Sequence, residues 1–78
     1  MSKPSFGPFN PVAIDNETFL LQSVEFEDET VFLLKRDNEI FCMIMLDEHN
    51  QWQADTEMSD ALFQKIMHWI NKLYLEQQ

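Results

Sequence analysis

Few side chains in this chain are of the kinds that do chemistry: Cys42, His49, His68 and a large set of carboxylates. Cys42 lies inside the apolar run 40–46. A nucleophilic thiolate needs an accessible, electropositive setting, so Cys42 reads as a buried, inert thiol. As the only cysteine it closes no internal disulfide, which fits a reducing compartment. His49, in Asp47-Glu48-His49-Asn50, is the best nucleus for a metal site. No second ligand follows at a recognised spacing and no EF-hand pattern is present, so the segment reads as a solvated turn and no metal is expected. Glu25 and Glu27 are spaced to share a strand face, but an acid–base pair also needs a pocket around it.

Gly7 is the only glycine, and it sits among Pro4, Pro8 and Pro11. Phosphate-cradling loops, dinucleotide fingerprints and nucleophile elbows all require glycines where backbone approaches a ligand or takes positive φ, and none can be placed here. A chain of 78 residues is further predicted to fill its core without leaving a cleft of about 300 Å³, the lower end of ligand sites. The expectation is a protein that is not an enzyme and binds no cofactor.

The net charge is −9, and it is unevenly spread. Residues 1–57 hold twelve of the fourteen acids against Lys3, Lys35 and Arg36, whereas residues 58–78 are neutral. That balance disfavours direct nucleic-acid binding and anionic membrane surfaces, which both select cations. Glu25, Glu27, Asp28, Glu29, Asp47 and Glu48 fall at strand ends and turns and form a candidate acidic surface. Charged turns block edge-to-edge pairing, and a field of this sign also steers cationic partners. No apolar stretch nears the roughly 18 residues of a membrane span, and no signal-peptide hydrophobic region opens the chain, so the expected location is cytoplasmic.

The elements that must position these residues follow from periodicity. Residues 1–11 form an extended arm, because three prolines resist helix and central strand alike, and Phe6 and Phe9 suggest that it lies on something. Residues 12–78 form one α+β domain. Its antiparallel meander is predicted to have about four strands, at 19–26, 30–36, 39–46 and 51–55, with a shorter candidate at 12–14. Asp37-Asn38 suits a tight hairpin, since both residues tolerate positive φ. One amphipathic helix over 59–76 follows, capped by Ser59 and expected to pack on one sheet face. Leu62, Phe63, Ile66, Met67, Trp69, Ile70, Leu73 and Tyr74 form its apolar stripe; Gln64, Lys65, His68, Asn71 and Lys72 face away.

Residues 31–34 and 40–46 do not alternate as a sheet with one wet face should. With a regular two-residue turn at Asp37-Asn38, Leu34 faces Phe41 and Phe32 faces Met43 on one side; Leu33 and Val31 face Cys42 and Ile44 on the other. A four-residue loop at 47–50 would set Trp52 and Ala54 opposite Met45 and Met43, although a one-residue slip inverts every side chain. Phe32, Leu34, Phe41, Met43 and Met45 are the resulting candidate interaction face. The arm, a second copy in a homodimer, or another protein would cover the face the helix leaves open. The functional expectation is a small acidic protein-interaction or adaptor module. The alternative is a nucleic-acid-mimicking inhibitor of a basic DNA- or RNA-binding protein.

Overall fold

The computed structural model describes residues 3–75. It is an antiparallel sheet with one C-terminal helix. Six strands are present rather than about four: β1 (Ser5–Phe6), β2 (Asn10–Ile14), β3 (Glu17–Phe26), β4 (Glu29–Arg36), β5 (Glu39–Leu46) and β6 (Trp52–Ala54). The two additional strands come from the arm and the short run after it. Both pair with β3, and β4, β5 and β6 follow in chain order. Prolines are tolerated there because β1 and β2 lie at the edge, where an N–H need not join a ladder.

The hairpins are set by backbone chemistry. Asp15 and Asn16 both take positive φ between β2 and β3, as do Asp37 and Asn38 between β4 and β5. That is the pattern of two-residue turns whose twist matches the flanking strands. The β4–β5 pairing then departs from the regular register. Arg36 pairs with Glu39 and Lys35 with Ile40, but Leu34 pairs with Cys42. Phe41 is thus the extra residue of a β-bulge. From that point the partners are Leu33 with Met43 and Phe32 with Ile44. A second slip of one residue follows: Leu46 pairs with Trp52 and Ile44 with Ala54, so the connecting loop spans 47–51.

These shifts settle which side chains share a face. Val12, Ile14, Phe19, Leu21, Phe32, Leu34, Cys42 and Ile44 form one buried cluster with Ile66, Met67 and Ile70 of the helix. Phe41 is swung towards this core face by the bulge and meets Phe19 edge-on, with ring centroids 5.4 Å apart. The expected grouping of Phe32, Leu34 and Phe41 with Met43 and Met45 is therefore split. The first two are fully buried, Phe41 packs against the core, and only Met43 and Met45 lie on the opposite, outer face.

The helix, α1 (Asp60–Ile70), runs on into a π-helical turn at Asn71–Leu75, while residue 76 lies outside the described residues. Ser59 caps it, its hydroxyl accepting from the Leu62 N–H at 3.2 Å. All eight stripe residues are buried in or packed against the core cluster, and Gln64, Lys65, His68, Asn71 and Lys72 are exposed. Trp69 Nε1 donates to the Ala13 carbonyl at 3.1 Å, and the Tyr74 ring lies 4.9 Å from that of Phe32.

Candidate functional site

Two surfaces concentrate groups that could meet a ligand: the outer face of the sheet and one end of it. Lys35 pairs with Leu20 and Ile40, Leu33 with Gln22 and Met43, and Val24 with Phe6 and Val31, so these residues all share the outer face. Several large apolar side chains are open to solvent there: Phe6 at 62%, Ile40 at 56%, Phe26 at 43% and Leu20 at 37% relative exposure. Val24, Val31, Met43 and Met45 are half-buried beside them.

The arm covers part of this face, along β3. The Gly7 N–H donates to the Ser23 carbonyl at 2.9 Å, and the Gln22 side-chain amide donates to the Gly7 carbonyl at 2.8 Å. A Cβ on Gly7 would come within 2.7 Å of the Ser23 hydroxyl, so the approach depends on the missing side chain. Gln22 is thereby buried with its amide bonded. Phe9 lies 4.8 Å from the Lys35 ammonium. The β5 side of the face, with Ile40, Met43 and Met45, is beyond the arm strand's pairing.

The second surface is an end of the sheet. In an antiparallel meander the β3–β4 turn and the β5–β6 loop emerge at the same end, so all six residues of the candidate acidic surface converge there. Glu25 is the last residue but one of β3, Glu27 and Asp28 make its turn and Glu29 opens β4; Asp47 and Glu48 begin the opposing loop. Between turn and loop lies a cleft of about 610 Å³, larger than the chain length led one to expect. Asp28, Glu29, Leu46, Asp47, Trp52 and Leu75 are among its lining residues, with buried Phe32 at its base. Phe32 and Trp52 stack obliquely at 5.5 Å.

Local bonding shapes both walls. Asp47 organises its loop: its carboxylate accepts the His49 N–H at 2.8 Å, the Gln51 N–H at 2.9 Å and the Gln53 amide. The Gln51 N–H is the chief cause holding the Asp47 carboxyl below its ordinary value; burial opposes it, and the His49 N–H and the Gln53 amide add to the lowering. Glu27 holds φ at 58°, a left-handed conformation for which glycine is usual.

Four of the five cations are engaged elsewhere, while Lys3 lies two residues before Ser5, which pairs with Glu25 at the acidic end. Arg36 pairs with Glu17 at 3.0 Å and lies 5.1 Å from the Phe41 ring, and Lys65 bonds Asp15, all at the far end of the sheet. Lys72 sits 5.4 Å from the Trp69 ring. Among the described residues no cation lines the cleft. His49 is exposed beside Glu48, 3.7 Å away, and among the described residues no three His, Cys, Asp or Glu side chains gather as metal ligands would. Cys42 is 1% exposed in the core. Among the described residues no helix is long and apolar enough to cross a membrane. Comparison with family models, with curated proteins and with solved structures gave no match.

Proposed function

We propose that this chain is a small non-enzymatic protein-interaction module. In this reading the helix closes the core face of the sheet and leaves the outer face for a partner. The observation that carries it is the row of exposed Phe6, Leu20, Phe26 and Ile40 around half-buried Met43 and Met45. Each large apolar side chain fully withdrawn from water contributes roughly 1.5–3 kcal/mol, so a face of this kind favours being covered. The acidic end would then orient the encounter, since charge acts at longer range than apolar contact.

A photoreactive residue at Leu20 tests this. Irradiation in lysate of the source cells at high salt should yield a crosslinked heterologous protein, and Phe26→Asp with Ile40→Asp should abolish it while the chain still folds. A crosslink undiminished by that double substitution would overturn the reading.

A second reading, a nucleic-acid mimic that captures a basic DNA- or RNA-binding protein, is favoured by the convergence of six acids at one end. Its complex would weaken steeply with salt. One held by the outer face would persist.

A further inference from the structure

The cleft at the acidic end differs in chemistry from the outer face. Buried Phe32 is flanked by Trp52 and the exposed Leu46 and Leu75, with Val31 and Met45 shared with the outer face, while Asp28, Glu29 and Asp47 bring carboxylates to the same lining. The helix runs towards it with its C-terminal, partially negative pole, bringing Leu75 to the lining. Anions are repelled from such a place. A wholly apolar ligand would strip water from carboxylates without replacing it, which is costly. A ligand with an apolar stem and a cationic head meets both demands.

Arginine fits better than a compact ammonium. Its guanidinium is planar, weakly hydrated, stacks on indole and offers a fork of donors to carboxylates. We propose that this cleft receives an arginine side chain of a basic protein segment, the stem lying against Trp52 and Leu46 and the guanidinium meeting Glu29, Asp28 and Asp47. The proposal rests on the interaction-module reading and assigns one site within it. Asp47 suits the role because its loop bonds keep it ionised without using a cation.

The test is a titration of the labelled protein with the peptide acetyl-Arg-Leu-Arg-amide, followed by amide and indole N–H resonances. Saturable shifts are expected at Glu29, Leu46, Asn50 and the Trp52 indole. Replacing both arginines by citrulline, which keeps shape and removes charge, should weaken binding by about fivefold or more. Asp28→Asn with Glu29→Gln should weaken it by a similar factor while leaving the spectrum of the core unchanged. Equal binding of the citrulline peptide, shifts confined to the outer face, or no saturable shift at all would each overturn the proposal. These outcomes leave the crosslink at Leu20 unaffected, so failure of the cleft and failure of the module reading are distinguishable.

Discussion

Burial around Cys42 pushes its thiol up to about 11 from 9.0, and the Asp55 carboxylate adds to the shift. The unfolded chain, with an ordinary thiol, releases its proton first as pH rises. Between about 9 and 11 the unfolded state therefore binds fewer protons, and stability falls with pH. The contribution is fully present below pH 9 and lost through 11, at a slope approaching about 1.4 kcal/mol per pH unit. Chemical denaturation of wild type and Cys42→Val at pH 8 and pH 10.5 checks this. The variant should lose less stability than the wild type, and equal losses would show that the thiol does not titrate with folding. Asp47 runs the other way: its lowered value keeps the loop charged well into acid. The Cys42 shift comes from packing and from Asp55 at the end of β6, and the Asp47 shift from N–H groups of its own loop, and residue type alone reveals neither. The burial of Cys42, by contrast, was legible from its apolar neighbours.

At the scale of the element, the bulge at Phe41 decides what each half of β5 does. A regular hairpin would have sent Met43 and Met45 inward and Cys42 and Ile44 outward. The extra residue reverses that beyond the bulge, placing Ile44 at 0% exposure, while Ile40, paired with Lys35 in either register, stays outward at 56%. Ile44→Asp would leave a charge unpaired in the core and should abolish cooperative unfolding, whereas Ile40→Asp should cost less than about 1 kcal/mol. Circular dichroism melts of the two variants check it. An Ile44→Asp variant that unfolds as cooperatively as Ile40→Asp would restore the regular register, in which both side chains face outward. The helix, its cap and its stripe were legible because a 3.6-residue period marks an apolar face directly. The register was not, because 40–46 is apolar throughout and gives no alternation for a bulge to interrupt. The edge strand β1 and the first two residues of β2 were hidden by prolines, which argue against central strands and are silent about edges, whereas 12–14 was already a short candidate. The cleft was half legible. Turns two strands apart in a meander share an end, which brings Asp28 and Asp47 together on paper, but the room between them depends on where the helix reaches the sheet.

The whole molecule divides its charge along the sheet. At one end Arg36 and Lys65 neutralise Glu17 and Asp15; at the other, among the described residues, none of Glu25, Glu27, Asp28, Glu29, Asp47 and Glu48 forms an ion pair with a lysine or arginine, and Lys3, two residues before the Ser5 that pairs with Glu25, is the one cation the register brings to that end. Folding draws six like charges into one region, and the repulsion this creates is screened by salt. The two ion pairs at the far end are exposed, and such pairs contribute roughly 0–1 kcal/mol each, so screening them subtracts little. Repulsion wins that comparison, and the melting temperature should rise from about 20 mM to about 300 mM sodium chloride, the screening length shrinking below the spacing of the two walls. Chloride is the appropriate anion because sulfate would also strengthen apolar burial. Replacing Glu27, Asp28 and Glu48 by their amides should raise the melting temperature at low salt and flatten its salt dependence. A melting temperature that falls with salt would mean the far-end pairs dominate. On the proposed reading the same repulsion is what a cationic partner would relieve: an unfavourable interaction within the acidic end of the free chain would be removed on binding, so the charge that lowers the fold's stability would raise the affinity for a basic ligand.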